Sequence, residues 1–101
     1  MVRHGIDVPL ELIREFCTRN KIRKLALFGS ILRDDFGPES DVDVLVEYEP
    51  EAGVGLWGMA EAELQLSAIL GRKVDLRTPE DLSRYFRDRV VATAEALYDG
   101  A

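Results

Sequence analysis

The spacing of apolar residues along this 101-residue chain predicts a succession of short helices and strands. Pro9 suits the first turn of a helix, because proline has no N–H to leave unbonded there. The run KLALFG at 24–29 is continuously apolar, which is typical of a strand buried on both faces. A short helical turn at about 30–35 and a second strand at 41–48 are predicted next. The first helix is predicted to run to about Asn20, and its apolar side consists of Leu12, Ile13, Phe16 and Cys17.

A long helix is predicted over the segment LWGMAEAELQLSAIL, at 56–70. Gly71 is placed to cap its carboxyl end, where glycine readily adopts a left-handed conformation. Trp57, in the first turn, is predicted to anchor the core or its rim. The segment KVDLRT at 73–78 alternates apolar and polar residues and predicts a third strand. The apolar face of the long helix is built from Leu56, Met59, Ala60, Leu64, Leu66 and Leu70.

The end of the chain is predicted to form a last helix at about 84–98. The residues at 78–81, Thr-Pro-Glu-Asp, are a typical helix-start signal. The expected architecture is therefore α+β (α/β), with a small mixed sheet of about three strands flanked by about four helices. The apolar face of the last helix consists of Phe86, Val90, Ala94 and Leu97.

Composition narrows the class of protein. A chain of this length suits a single domain, expected to span 1–101. No apolar stretch is long enough to cross a membrane, and the charged N-terminus lacks the apolar core of a signal peptide, so a cytoplasmic location is expected. The net charge of −6 argues against direct binding to nucleic acid, since that affinity comes mostly from neutralising phosphates. The single cysteine, Cys17, is expected to be a buried structural thiol.

The charges are segregated along the chain. The basic cluster is either a solvated helix end, where cations complement the carbonyl dipole, or a docking surface for a partner or a phosphate. The sequence leaves both interpretations open. The basic cluster consists of Arg14, Arg19, Lys21, Arg23 and Lys24. The acidic cluster consists of Glu39, Asp41, Asp43, Glu47, Glu49 and Glu51.

The segment GSILRDDFGPESDVDVLV, at 29–46, combines an anion site with a cation site. Gly29 permits close approach to the backbone, and Ser30 offers its hydroxyl and free N–H groups to an anion. Ten residues further on, Asp41 and Asp43 share one face of a strand, because strand residues two apart point to the same side. Paired carboxylates repel, so either the pKa of one of them rises or a cation lies between them. Mg²⁺ suits as that cation because it prefers oxygen ligands and substrate phosphates. The pattern describes a nucleoside triphosphate with its metal.

A third carboxylate, Asp75, is placed to join this pair. It shares a strand face with Lys73 and Arg77. If that strand lies beside the strand carrying Asp41 and Asp43, the three carboxylates meet. They can then hold two metal ions about 4 Å apart, which clamp the attacking and leaving oxygens of a phosphate displacement. An Asp-x-Asp pair alone is a weak signal, but its combination with Gly-Ser ten residues earlier and with a third acid is not expected by chance.

Four segments resemble the minimal nucleotidyltransferase family, small relatives of the polymerase-β-like nucleotidyltransferases: GSILR, SDVDVLV, GRKVDLRTPE and the closing LSRYFRDRV…ALY. The resemblance covers nearly the whole chain and implies that fold, with ATP as substrate and two Mg²⁺ ions. It implies that Gly29 and Ser30 bind the triphosphate. Arg33 matches the arginine of the family's Gly-Ser-x-x-Arg motif, where it would support the aspartates or form an ordinary surface ion pair. Asp34 departs from the glycine that the family often has. The residues implied to bind metal and act in catalysis are Asp41, Asp43 and Asp75.

The same resemblance implies an antitoxin that is a protein adenylyltransferase. It would transfer AMP from ATP to a tyrosine of a HEPN-domain ribonuclease toxin, with which it would form a hetero-oligomer. Two alternatives remain: an antitoxin that neutralises its partner by binding alone, with a vestigial site, and a nucleotidyltransferase acting on a small molecule such as an aminoglycoside. The complete set of three acids argues against the first, and the lack of a domain to hold an acceptor argues against the second.

Overall fold

The structure, a computed structural model, describes residues 1–100 as an alternation of strands and helices. The strands are β1 (Val2–Arg3), β2 (Ile6–Asp7), β3 (Ile22–Phe28), β4 (Val42–Tyr48), β5 (Val74–Arg77) and β6 (Glu95–Asp99). The helices are α1 (Leu10–Arg19), α2 (Leu56–Leu70) and α3 (Arg87–Thr93), and single 3₁₀ turns lie at Gly29–Leu32 and Pro79–Asp81. In this part of the chain, no helix is both long and apolar enough to cross a membrane.

A mixed four-stranded sheet, in the order β5-β4-β3-β6, forms the centre of the molecule. β3 runs antiparallel to both of its neighbours, whereas β4 and β5 are parallel and are connected through α2. A parallel pair needs such a crossover, because both of its strands begin at the same end of the sheet. The expected α+β class and the mixed sheet are confirmed.

The core lies between the sheet and the helices α1 and α2, which pack against β3 and β5 respectively. The strands β3, β4 and β5 supply mainly alternate residues to this core. The buried strand residues include Leu25, Leu27, Val42, Val44, Val46, Val74 and Leu76, and the buried residues of α1 are Ile13, Phe16 and Cys17. On the opposite face of β3, Ala26 and Phe28 are only half-buried, so the prediction of a strand buried on both faces is partly wrong.

The bounds predicted for α2, 56–70, are confirmed, and Gly71 ends it in the left-handed conformation with φ of 68°. Its buried face matches the predicted one in part: Leu66 and Leu70 are buried, and Met59 is partly buried against the core. Ala62, Leu66 and Leu70 face the core at spacings of four residues. Trp57 lies on the opposite side and is 89% exposed, so the prediction that it anchors the core or its rim is wrong. Leu56 and Leu64 are exposed for the same reason.

The predicted last helix, 84–98, is wrong in its second half. The helix α3 ends at Thr93, and Ala94 takes an extended conformation that leads into β6. β6 pairs with β3, with Tyr98 opposite Leu25 and Ala96 opposite Ala26. The physical reason is tertiary: β3 would otherwise present an edge of unpaired N–H and C=O groups, and pairing satisfies them. The sheet therefore has four strands rather than about three.

Candidate active site

The three predicted aspartates lie at one end of the sheet, where β3 ends and β4 and β5 begin. In the antiparallel pair β3–β4, Phe28 is opposite Asp43. In the parallel pair β4–β5, Asp43 is opposite Asp75. The strand carrying Asp75 thus lies beside the strand carrying Asp43, as the sequence analysis required. Asp41 lies just before β4 and close enough to act electrostatically on Asp43.

Gly29 allows the turn after β3 to touch the Asp43 carboxylate. Its φ is +74°, a region that residues with a side chain rarely adopt. A β-carbon built on Gly29 would overlap Oδ2 of Asp43 and lie 3.1 Å from its Cγ and 3.3 Å from its Cβ. The backbone of the next residue, Ser30, hydrogen-bonds the same carboxylate. Glycine is therefore required at this position for two reasons: its backbone has a positive φ, and the Asp43 carboxylate occupies the space of a β-carbon.

Asp43 is the electrostatic centre of the site. Burial raises its pKa above the usual value of 3.8, and the negative charges of Asp75 and Asp41 raise it further. The hydrogen bond from the Ser30 backbone and the positive charge of Arg77 act in the opposite direction, more weakly. The site thus concentrates negative charge that a cation would relieve.

Two basic side chains partly neutralise the other carboxylates. The Lys73 ammonium lies 3.8 Å from Oδ2 of Asp41. Arg77 donates from Nε to Oδ1 and from Nη2 to Oδ2 of Asp75, both at 3.2 Å, and this contact raises the pKa of Arg77. Lys73 and Arg77 flank Asp75 at spacings of two, so the alternation of KVDLRT places all three on one face. The alternation predicts this placement, but it does not predict which acid each basic side chain pairs with.

Arg33 does not contact the three aspartates of the candidate site. Its Nε donates to Oδ1 of Asp35 at 3.1 Å, and 61% of its side chain is exposed, so of the two expected roles the surface ion pair is the one observed. Arg33 also lines a cavity that Gly29 shares.

Among residues 1–100, the non-glycine residues with positive φ are His4 and Lys21. Asp34 is therefore accommodated without the left-handed conformation that glycine would favour.

Mg²⁺ fits the chemistry of the donor set. Within residues 1–100, no group of three or more His, Cys, Asp or Glu side chains is gathered closely enough to enclose a metal. Mg²⁺ needs no such enclosure, because it usually binds one or two carboxylates, several waters and substrate phosphates. Asp43 and Asp75, adjacent across β4 and β5, supply hard oxygen donors, and Asp41 adds a third carboxylate nearby. These three residues are the ones that could hold a metal.

Two residues that the sequence analysis did not identify fix the strand that carries Asp75. β5 is the last strand of the sheet, and the N–H groups of Val74 and Leu76 point away from β4. Ser67 Oγ accepts from Val74 N at 3.0 Å, and Glu63 Oε2 accepts from Leu76 N at 2.8 Å. The outer edge of β5 is thus hydrogen-bonded on both sides of Asp75. The sequence does contain a signal for this support: Glu63 and Ser67 are polar residues four apart within the largely apolar helix α2.

Arg72, also missed, holds the loop that precedes Asp41. Its Nη2 donates to the carbonyl oxygens of Gly37 at 2.9 Å and Ser40 at 2.6 Å. The guanidinium also lies over the Phe36 ring, 4.8 Å from its centroid. Such stacking and forked hydrogen bonding suit arginine, whose planar group presents several donors in fixed directions. The loop between the Gly29–Leu32 turn and β4 is therefore anchored, and with it the start of β4.

Comparisons with known sequences identify the family of this domain. A sequence model of the nucleotidyltransferase domain matches residues 10–97. A candidate protein adenylyltransferase from Methanocaldococcus jannaschii is 40% identical over 63 residues, which are 61% of this chain and 61% of that protein. The protein adenylyltransferase MntA of Thermococcus cleftensis is 38% identical over 63 residues, 62% of each chain. The chain thus spans about three fifths of the length of these two relatives.

Solved structures show the same fold. A candidate minimal nucleotidyltransferase superposes with a TM-score of 0.66 at 30% sequence identity, over 88% of this chain and 94% of that one. A chain from the complex of a tri-AMPylated Shewanella oneidensis HEPN toxin with its MNT antitoxin superposes with a TM-score of 0.63 at 23% identity, over 89% of this chain and 69% of that one. The second likeness shows the fold alone. The polymerase-β-like fold expected from the sequence is confirmed, and the match over 10–97 means that this chain belongs to the nucleotidyltransferase domain family.

Proposed function

We propose that this chain is an antitoxin that transfers AMP from ATP to a tyrosine of a HEPN-type ribonuclease toxin. One observation carries the proposal: the register of the sheet sets Asp43 beside Asp75 and against the Gly29–Leu32 turn. The names of the two relatives support an adenylyl group as the unit transferred. The solved complex, which contains an AMPylated HEPN toxin, supports a toxin as the acceptor.

In this proposal the residues of the turn bind the nucleotide. Gly29 brings the backbone close to the carboxylates, and Ser30 and its neighbours offer a hydroxyl and N–H groups to the phosphates. Mg²⁺, two ions in this proposal, would be held by Asp41, Asp43 and Asp75, and when bound would neutralise charge on the triphosphate and on the leaving group. Catalysis by such a site consists mainly of positioning and charge neutralisation.

The transfer itself is an in-line substitution at the α-phosphorus. The phenolic oxygen of the toxin tyrosine forms a bond to the α-phosphorus, and the bond from that phosphorus to the oxygen bridging to the β-phosphate breaks. Pyrophosphate leaves, and the phenolic proton passes to the Asp75 carboxylate. Asp75 must first exchange its contact with Arg77, whose side chain is 48% exposed. Exposed ion pairs contribute only about 0–1 kcal/mol, so this exchange is inexpensive.

The role of Asp75 is tested by Asp75→Asn. The amide keeps the shape of the side chain but cannot accept the proton, so kcat should fall by about 100-fold or more. The affinity for ATP, measured by calorimetry, should largely persist, because the turn and Asp43 remain. Glu51→Gln makes the same acid-to-amide change in an exposed loop and should leave both quantities unchanged. An unchanged kcat in Asp75→Asn would place this residue outside the active site.

A second experiment separates catalysis from neutralisation by binding. The product of the neighbouring gene, taken as the candidate toxin, is incubated with this protein, Mg²⁺ and each nucleoside triphosphate, and its intact mass is measured. One or more additions of AMP are expected with ATP, and the modified toxin should stay inactive after the antitoxin is removed. Toxin co-expressed with the variant carrying both Asp41→Asn and Asp43→Asn should remain toxic. Protection by that variant at normal expression would show that binding alone neutralises the toxin.

A further inference from the structure

The helix α2 is apolar on the side that faces solvent as well as on the side that packs on the sheet. Its solvent side carries Leu56, Trp57 and Leu64, which are 88%, 89% and 73% exposed. Ala60 and Ala68 lie on the same side and are also exposed. These five residues form the outer face of α2. Helices that pack on one side only normally present polar residues on the other, whereas a helix that is apolar all round is buried.

The outer face has almost no charge. The helix α2 contains two acids and no basic residue, and one of the acids, Glu63, is turned toward β5, where it accepts from Leu76 N at 2.8 Å. The other, Glu61, is exposed and accepts from Gln65 Nε2 at 3.4 Å. In a chain in which 32% of the residues are charged, this face is therefore unusually apolar. A contiguous apolar patch of this kind marks an interaction surface.

The order of large and small residues on the outer face suits a second copy of the same helix. Along the axis the face reads Trp57, Ala60, Leu64, Ala68. Two copies of α2 can pack antiparallel about a two-fold axis that passes at the level of residues 62 and 63. Trp57 of each copy then lies opposite Ala68 of the other, so a large side chain fills the space over a small one. In the same register, Glu61 lies close to the amide of Gln65 in the other copy, which can donate to it.

The outer face is also large enough for such a pair. If Trp57 contributes about 200 Å² and the leucines and alanines together about 300 Å², two copies bury roughly 1,000 Å², the size at which specific interfaces begin. An exposed tryptophan at the centre of an apolar face is the kind of residue that dominates the binding energy of an interface.

Packing through this face leaves the candidate active site open. Asp43 and Asp75 alternate along their strands with Val44 and Leu76, which are buried in the core beneath the helices. The two carboxylates therefore lie on the face of the sheet away from α2. Both active sites of a pair formed through α2 would remain accessible.

We infer that the outer face of α2 binds a second copy of this chain, as an antiparallel pair of helices related by a two-fold axis. Such an interface is isologous, since each copy contributes the same residues. The inference does not depend on the proposed function. It assigns a role to Trp57, which the core does not use.

Sedimentation equilibrium and the fluorescence of Trp57, the only tryptophan of the chain, test the pairing. The mass should rise from 11.4 kDa to twice that value as the concentration passes through about 1–100 μM, and the emission should shift to shorter wavelength over the same range. Trp57→Ala should raise the dissociation constant by at least about 30-fold, as expected for loss of an interface hot spot. Tyr85→Ala removes an exposed aromatic side chain outside α2 and should leave the mass unchanged. Both variants should keep the circular dichroism of the wild type, because neither side chain belongs to the core.

Cysteine cross-linking tests the register. With a rise of 1.5 Å per residue, position 64 lies about 5 Å along the axis from the same position of the other copy, whereas position 56 lies about 20 Å from its equivalent. Disulfides join Cα atoms about 4.4–6.8 Å apart. Leu64→Cys should therefore give a disulfide-linked dimer on mild oxidation, and Leu56→Cys should not. The native Cys17 is buried and does not interfere.

Several results would overturn the inference. One is the mass of a single chain at every concentration up to about 1 mM. Another is a dimer that persists unchanged in Trp57→Ala or is weakened equally in Tyr85→Ala, since a different surface would then join the copies. Equal cross-linking of Leu56→Cys and Leu64→Cys would refute the antiparallel register. A monomer whose Trp57 becomes covered only when a different protein is added would assign the outer face of α2 to that protein instead.

Discussion

Gly29→Ala separates the two reasons for glycine at the active-site turn. The first is conformational, because φ of +74° is costly for alanine. The second is steric, because the new β-carbon would overlap Oδ2 of Asp43. Gly53→Ala is a matched control, since Gly53 has a similar φ of +64° but nothing lies within 4 Å of its added β-carbon.

The expected magnitudes follow from these contacts. Alanine in the left-handed region costs about 1–2 kcal/mol, and part of this is offset because alanine restricts the unfolded chain. Gly53→Ala should therefore lose about 1 kcal/mol. Gly29→Ala must in addition turn the Asp43 carboxylate away from the new β-carbon, and such overpacking costs about a further 1–2 kcal/mol. The total of about 2–3 kcal/mol corresponds to roughly 8–24 °C in Tm for a domain of this size.

Thermal melts of the two variants measure the stability difference, and the rate of the proposed adenylyl transfer measures the consequence for function. Gly29→Ala should melt below Gly53→Ala and lose at least about tenfold in kcat, because small displacements of a reacting group are costly. Gly53→Ala should keep its activity at temperatures where it is folded. Equal Tm values and equal rates for the two variants would refute the argument that Gly29 makes room for Asp43.

Three further predictions concern the surroundings of the site. Asp43→Asn should stabilise the metal-free protein at pH 7, because burial, Asp75 and Asp41 raise the pKa of Asp43 and disfavour its ionised form. In melts with EDTA, this gain should shrink as the pH falls through that raised pKa and vanish near the ordinary value of 3.8. Glu63→Ala should cost about 1–2 kcal/mol in urea unfolding, since it leaves the N–H of Leu76 unpaired, and should also slow transfer. Cys17 should resist thiol reagents at pH 8 until the protein unfolds, because burial raises its pKa to about 12.

Each of these predictions has a clear contrary result. A pH-independent difference between Asp43→Asn and the wild type would mean that the charge of Asp43 is not what destabilises the free protein. Full stability and full activity in Glu63→Ala would mean that the edge of β5 needs no partner from α2. Rapid labelling of Cys17 under native conditions would show that α1 opens far more often than its buried packing suggests.

Local sequence determined the parts of this protein that depend on neighbours along the chain. The spacing of apolar residues predicted the bounds of α2, and Gly71 predicted its end. Both signals are local, because helix periodicity and capping depend on residues a few positions apart. The strands around Asp43 and Asp75 were predictable for the same reason, since alternation decides which side chains face the core. The Gly-Ser and Asp-x-Asp motifs are also local, and the resemblance to the nucleotidyltransferase family was recognised from them.

Tertiary structure decided what depends on segments that are distant along the chain. The residues at 95–99 fit a helical period as well as a strand, and they became β6 because the free edge of β3 needed partners. Trp57 is exposed because the buried face of α2 is chosen by the sheet beneath it rather than by the helix itself. The pairing of Asp75 with Arg77 and the support from Glu63 likewise arise only when these elements meet. Periodicity specifies which residues can face inward, but only the assembled sheet and helices specify what each of them contacts.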